Sequence, residues 1–248
     1  LLLMFCACTL LFSCRKKEDP STPVEGKSQI RITFQNIAGS TPVVLNKGWY
    51  KNEHGDSLSI TSLKYYISNI NLYAADGSIY AEPESYHLID EEADTSKSFY
   101  IANVPPNTYT KIVFTIGVDA LRNTSGAQTG ALDPMYGMFW DWNTGYVMAR
   151  MEGYSPQSTF PDKKFFFHIG GYKGQYNVLR QVNLLLPVIT EVSKTKNPNL
   201  HITADALEWF KTPNQIDLSI TNAEQTPGAV VDKIADNYAD MFKIDHID

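Results

Sequence analysis

The sequence has very little cysteine: three residues among 248, all within the first fourteen positions. Cys6 and Cys8 lie inside an apolar leader, and Cys14 follows it. If the leader is removed, Cys14 is the one thiol left. The rest of the chain then has no cysteine pair for a disulfide and no thiolate set for a zinc site. Any metal must be held by other side chains.

Long apolar runs are also missing. A transmembrane helix needs about 20 apolar residues, and residues 1–13, LLLMFCACTLLFS, form a shorter run that ends at Cys14 and a basic stretch. We interpret residues 1–13 as a signal peptide, LFSC as a lipobox and Cys14 as the lipidated residue. Residues 14–28 are predicted to be the lipidated cysteine and a flexible tether. We therefore expect a lipid anchor in a bacterial outer membrane, facing the periplasm or the cell surface.

Basic clusters and catalytic signatures are absent as well. The formal net charge is -6, and no basic patch follows the tether, which argues against a nucleic-acid partner. The sequence contains no G-x-S-x-G elbow, P-loop, H-E-x-x-H motif or dinucleotide fingerprint. We expect a protein that is not an enzyme.

What the sequence does contain is period-two alternation of apolar and polar residues, typical of half-buried strands. It predicts strands at 29–35, 58–72 with a break before Leu63, 109–118, 146–151, 164–169 and 178–186. A helical stripe of apolar residues starts at Ala229 after Pro227-Gly228, and a shorter helix is predicted around 205–211. The predicted fold is mainly β: a single large β-sandwich-like domain at 29–248 with a C-terminal amphipathic helix.

The most unusual segment is 131–153, which is rich in methionine and large aromatic residues. Met138 and Met148 are candidate ligands because a thioether favours Cu(I). Trp140 and Trp142 are two positions apart and would share one face of an extended segment. The alternative is that the methionines fill gaps in the core and the tryptophans supply buried area.

The five histidines are scattered, so a metal site would have to be assembled by the fold. His168 ends an apolar strand just before a glycine turn, and His201 alternates with apolar neighbours. Either could instead be an ordinary hydrogen-bonded or exposed histidine.

Three segments in order resemble a known family: LKYYISNINLY at 63–73, GALDPMYGMFWDWNTGYVMARMEG at 130–153 and FFFHIGG at 165–171. They are similar to the MbnP-like family of methanobactin-associated periplasmic copper-binding proteins, over roughly 29–242. The resemblance implies a β-rich extracytoplasmic domain that binds copper through histidines. In some members it implies a tryptophan oxidised to kynurenine by a dihaem peroxidase-like partner.

Carried over to this chain, the matching residues are Trp140 and Trp142 in the WDW motif and His168 in FFFHIGG, with His201 a looser match by position. The family's copper-binding branch has a histidine near the modified tryptophan, and none lies between Arg122 and Lys164 here. Methionine could take that place.

The leading hypothesis is a lipoprotein that binds copper, expected as Cu(I), for acquisition or storage. Its predicted ligands are His168, His201, Met148 and Met138, with Trp140 or Trp142 beside the metal. The alternative is a metal-free module that binds glycans or a protein through an aromatic platform of Trp140, Trp142, Tyr136, Tyr146 and Tyr154.

Overall fold

The computed structural model describes residues 27–140 and 145–248. The predicted signal peptide, Cys14, most of the tether and Trp142 lie outside these residues. The strands are β1 Gln29–Ala38, β2 Thr41–Pro42, β3 Tyr50–Lys51, β4 Ser57–Ala74, β5 Ile79–Ala81, β6 Tyr86–Asp90, β7 Ser98–Ala102, β8 Asn107–Ile116, β9 Phe139–Trp140, β10 Gly145–Tyr154, β11 Lys164–Gly170, β12 Arg180–Val192, β13 Asn199–Asp205, β14 Ala223–Glu224 and β15 Phe242–Ile247. The α-helices are α1 Ala120–Asn123 and α2 Ala229–Tyr238. Short 3-10 helices span Asp94–Lys97, Gly130–Leu132, Pro134–Tyr136, Pro161–Lys163, Gly174–Tyr176 and Ala206–Phe210.

The strands form two sheets, which confirms the predicted sandwich-like, mainly β fold. One sheet has the order β15-β13-β1-β2, with β7 also paired to β1. Within it β1 and β13 are parallel. The larger sheet has the order β12-β8-β4-β10-β11-β14, with β3, β5 and β6 paired to β4 and β9 paired to β10. The strand β4 is the centre of the larger sheet.

The core lies between the two sheets and is rich in aromatic rings. Phe34 of β1 and Phe242 of β15 come from the smaller sheet, and Tyr65 of β4 and Phe114 of β8 come from the larger one. The Phe114 and Phe242 ring centroids are 5.1 Å apart, and those of Tyr65 and Phe242 are 5.6 Å apart, both edge to face. Such pairs add to the stabilisation from buried area.

The strand predictions are confirmed in position, with one error. In β1 the buried Ile30, Ile32 and Phe34 alternate with more exposed residues, as the period-two pattern predicts. The predicted break before Leu63 is wrong, because β4 runs through it and Leu63 pairs with Met151. The irregularity just before Leu63 is a bulge and not a break: Glu152 and Gly153 of β10 pair with Ser62 and Ile60, which leaves Thr61 of β4 as the extra residue.

The predicted C-terminal helix is confirmed but ends earlier than its apolar stripe. Val231, Ile234 and Tyr238 are buried along one face of α2. Phe242 continues the spacing of the stripe but begins β15, where it pairs with Ala204 of β13. Pairing with an available strand thus overrides the helical spacing. No helix among the described residues is long and apolar enough to cross a membrane.

Candidate metal site

Two histidines face each other at the edge of the smaller sheet. Leu200 and Ile202 of β13 point into the core, so His201 points away from it. Its cross-strand partner is His246 on the edge strand β15. The two ring centroids are 4.0 Å apart, and the ring planes are 12° from parallel. Directly opposed residues of an antiparallel pair have Cβ atoms only about 4.5–5.5 Å apart, so the ladder itself brings the two imidazoles together.

Asp248 supplies a third donor on the same side of the strand, because it lies two positions after His246. Its backbone N–H donates to the carbonyl of Asn199 at 3.1 Å, and its carbonyl accepts from the Asn199 N–H at 2.7 Å. The Oδ1 atom of Asp248 lies 3.3 Å from Nε2 of His201. One ligand atom from each of His201, His246 and Asp248 lies within 4.8 Å of the others. The backbone ladder therefore holds three donors within reach of a single ion.

Neighbouring side chains orient both rings. Nδ2 of Asn199 lies 2.6 Å from Nε2 of His201, and Oδ1 of the same amide accepts from the Thr33 hydroxyl at 2.9 Å. Because Thr33 fixes the amide orientation, the nitrogen of Asn199 faces a ring nitrogen that must accept. Nδ1 of His246 lies 2.7 Å from Oδ2 of Asp245, which leaves Nε2 available as an acceptor. His246 thus offers Nε2 directly, whereas an ion bound to Nε2 of His201 would displace the Asn199 amide.

This donor set fits copper in its oxidised form better than in its reduced form. Imidazole binds copper and zinc well, and carboxylate is a harder ligand, whereas Cu(I) prefers thiolate and thioether sulfur. For a given nitrogen and oxygen site, Cu(II) also binds more tightly than Zn(II). The trio of His201, His246 and Asp248 is called the edge site below.

The other predicted histidine, His168, lies in a different environment. It points away from the core on β11, and its Nε2 lies 2.6 Å from Oε1 of Glu152. The same oxygen accepts from Arg150, at 2.9 Å from Nε and 2.5 Å from Nη2. The hydrogen bond with His168 and the charge of Arg150 lower the pKa of Glu152 to about 2. A guanidinium already neutralises this carboxylate, so the arrangement does not fit a cation.

The four predicted ligands are not brought together. His168 and His201 point outward from different sheets with the core between them, so they cannot hold one ion. Met138 and Met148 are fully buried in that core. The sulfur of Met148 accepts the backbone N–H of Val118 at 3.1 Å. These positions agree with the alternative interpretation, in which the methionines fill gaps in the core.

Trp140 packs against β11, the strand that carries His168, and not against the edge site. A Cβ atom placed on Gly170 would be 2.4 Å from Cζ3 of Trp140, so the indole lies directly against the glycine backbone. Gly170 is two positions after His168 and shares its face of β11. Trp140 is 9% exposed.

Comparison with known proteins agrees with this fold. The model of the MbnP family matches residues 27–231. The chain belongs to the MbnP family. The solved structure of MbnP from Methylosinus trichosporium is similar, with 14% sequence identity and a TM-score of 0.54 over 82% of this chain and 83% of that chain. At this identity the likeness is one of fold. No curated protein matches the sequence.

The family match ends before the edge site is complete, because His246 and Asp248 lie beyond residue 231. The sequence analysis identified His201 as a candidate ligand but did not single out His246. The available signal was the period-two spacing of His246 and Asp248, which mirrors the alternation around His201. What the sequence could not give is the register, since a bulge between His201 and Ile202 in the β13–β15 pairing sets it.

The tyrosines of the predicted aromatic platform, all within the described residues, do not come together in this MbnP-family chain. Tyr146 is fully buried, and its hydroxyl donates to the carbonyl of Leu132 at 2.7 Å. Tyr136 and Tyr154 are exposed but line separate pockets. The pocket at Tyr136 is a cavity of about 1020 Å³ whose wall also includes Tyr86, Tyr100 and His87.

A second group of metal-capable side chains, His54, Asp56 and Asp217, is bound into the loop structure. Oδ2 of the buried Asp56 accepts from the Asn52 amide at 3.1 Å and from the backbone N–H of Leu218 at 3.1 Å. The same oxygen lies 3.3 Å from Nδ1 of His54. These hydrogen bonds join two loops, so the carboxylate has a structural role.

Proposed function

We propose that this MbnP-family protein is an extracytoplasmic lipoprotein that binds one copper ion at the edge site. The observation that carries the proposal is the cross-strand pair of His201 and His246 with Asp248 beside it. Family membership and the absence of cysteine from the described residues support it, since imidazole and carboxylate are then the available strong donors. The lipid on Cys14 would keep the site outside the cytoplasm, on the periplasmic or cell-surface face.

The donor set favours Cu(II) over the Cu(I) expected from the methionines. Two imidazoles and a carboxylate would hold the ion. Asp245 would orient the ring of His246, and the ion would displace the Asn199 amide from Nε2 of His201. Trp140 packs on Gly170 of the larger sheet and not at the edge site, so an oxidised Trp140 would not belong to this ligand set. Acquisition or storage of copper is the role this proposal assigns.

Copper titration of the full-length lipoprotein in detergent tests the proposal. His201→Ala and His246→Ala should each lower Cu(II) affinity by more than about tenfold, the smallest loss expected even for a residue that only supports a ligand. His168→Ala is the matched control and should leave the affinity unchanged. Loss of copper in the control alone, or unchanged affinity in both edge-site variants, would contradict the proposed site.

A second candidate function rests on the large cavity. Its wall includes Tyr86, Tyr100 and Tyr136 together with polar groups, a combination suited to a sugar ring or a similar organic ligand. This would be a metal-free binding module whose site includes Tyr136 of the predicted platform. Screening the protein against a glycan array tests it, with Tyr136→Ala expected to abolish any binding and His201→Ala expected to leave that binding intact.

A further inference from the structure

The outer face of the larger sheet carries an apolar row near one end. Leu185 of β12 pairs with Lys111 of β8, Lys111 pairs with Tyr73 of β4, and Tyr73 pairs with Ile79 of β5. Leu185 is 75% exposed and Ile79 is 55% exposed. The Lys111 ammonium lies 3.8 Å from the centroid of the Tyr73 ring. Two aliphatic residues thus flank a lysine and a tyrosine in one cross-strand row.

A bulge next to this row exposes two more large aliphatic residues. The register of β12 against β8 jumps from Leu185 opposite Lys111 to Thr190 opposite Tyr109. The extra residues include Val188 and Ile189, which are 60% and 69% exposed. Because β12 is the edge strand of its sheet, no strand of the described residues pairs with its outer side at the bulge. The row and the bulge, formed by Leu185, Lys111, Tyr73, Ile79, Val188 and Ile189, are called the apolar end patch below.

The chain enters the domain at the same end. The backbone N–H of Val104 donates to the Ser28 carbonyl at 3.1 Å, and Val104 comes just before the turn into β8. Asn107, the first residue of β8, pairs with Val192 at the end of β12. Its amide also donates to Asp76, in the turn that precedes β5, at 2.8 Å. The tether, the bulge and the start of β5 therefore meet around the turn before β8.

The length of the tether places a bilayer within reach of this end. Ser28 lies fourteen positions after Cys14. A flexible chain of that length has a root-mean-square span of about 20 Å and a fully extended length of about 50 Å. A lipid on Cys14 would thus hold the end of the domain that carries the patch nearest to the membrane.

We propose that the apolar end patch rests on the surface of the bilayer that holds the lipid of Cys14. This proposal depends on the lipid anchor of the proposed function and not on copper. The composition of the apolar end patch suits a bilayer surface. Aliphatic side chains enter the acyl boundary, while lysine and tyrosine keep an apolar body in the interface and a polar tip in water. The contact fixes the orientation of the domain and places the bulge of β12 against the lipid.

The scarcity of cysteine allows a direct test. In the mature, lipidated protein, Ile189→Cys or Leu185→Cys introduces the only free thiol, which is labelled with an environment-sensitive fluorophore. Ile220→Cys is the matched control, because Ile220 is 79% exposed and lies near the other end of β4. The backbone N–H of Leu218, two positions earlier, donates to Asp56, which lies just before that strand begins. Full-length proteins are reconstituted in phosphatidylethanolamine and phosphatidylglycerol vesicles and quenched with aqueous iodide.

We expect labels at 189 and 185 to be at least severalfold less accessible to iodide than the label at 220, and to be quenched by spin-labelled lipid. Flotation with the vesicles combined with equal iodide accessibility at all three positions would overturn the patch contact and leave the anchor intact. Failure to float would overturn the anchor and the patch contact together. Protection at 189 that persists in detergent and grows with protein concentration would mean that a second copy covers the patch, and would overturn the bilayer as occupant.

Discussion

His201 and His246 stack across the β13–β15 ladder with ring centroids 4.0 Å apart. Neither sequence proximity nor a helical motif brings them together; a cross-strand register does. Asp248 is the third ligand of the edge site. The nearest polar group outside these three residues is the amide of Asn199, 2.6 Å from Nε2 of His201. The affinity of the edge site should therefore respond to what occupies position 199.

Asn199→Asp should tighten Cu(II) binding by about tenfold. It replaces the amide that lies beside Nε2 of His201 with a carboxylate, whose negatively charged oxygen can bind the ion as a further ligand. Without metal the same variant should be slightly less stable, since the new carboxylate faces Asp248. Asn183→Asp, at an exposed position of β12, is the control for added charge. Titration calorimetry and thermal melts with and without copper measure both effects. Equal affinities in the two variants would show that Asn199 does not border the site.

The sequence predicted much of the fold and less of the site, for different physical reasons. Burial on one face of a strand is local, so the alternation of Ile30, Ile32 and Phe34 could be read directly. The assembly of a site depends on which strands pair and in which register, and that information is non-local. His168 and His201 both lie on strands with one buried face. No local sequence pattern indicates that these strands belong to different sheets. The family resemblance predicted the fold correctly because it extends over most of the chain.

The two buried methionines should differ when each is replaced by leucine. Both are fully buried, but only the sulfur of Met148 is seen to accept a hydrogen bond, from the backbone N–H of Val118. A change from Met to Leu alone costs less than about 1.5 kcal/mol, whereas an orphaned buried N–H costs about 1–3 kcal/mol. Met148→Leu should therefore lower the free energy of unfolding by about 1 kcal/mol more than Met138→Leu. Denaturant melts measure the difference, and copper affinity should stay unchanged in both variants. A loss of copper binding in either would restore the thioether hypothesis.

Gly170→Ala should destabilise the domain through contact with Trp140. The added Cβ would lie 2.4 Å from the indole, and such overpacking costs about 1–3 kcal/mol. Gly228→Ala is the control, because that glycine is extended and a Cβ there would meet nothing closer than 3.7 Å. In a Trp140→Phe background the cost of Gly170→Ala should shrink, since the smaller ring leaves room. A double-mutant cycle measured by denaturant unfolding gives this coupling, and a coupling of zero would contradict the packing of the indole on Gly170.

Glu152 should make the stability of the domain depend on acid pH. The hydrogen bond with His168 and the charge of Arg150 lower its pKa from 4.5 to about 2 in the folded protein, although partial burial opposes the shift. A carboxyl whose folded pKa is depressed contributes stability that is fully present above the unfolded pKa and is lost as the pH falls through the folded pKa. Glu152→Gln should therefore be less stable than the wild type at pH 7, and the gap should close between pH 4.5 and about 2. Urea unfolding at a series of pH values measures the gap, with Glu53→Gln, at an exposed carboxylate outside this cluster, as the control. A gap for Glu152→Gln that stays constant down to pH 2 would show that the ion pair with Arg150 and His168 does not hold the carboxylate in its charged form.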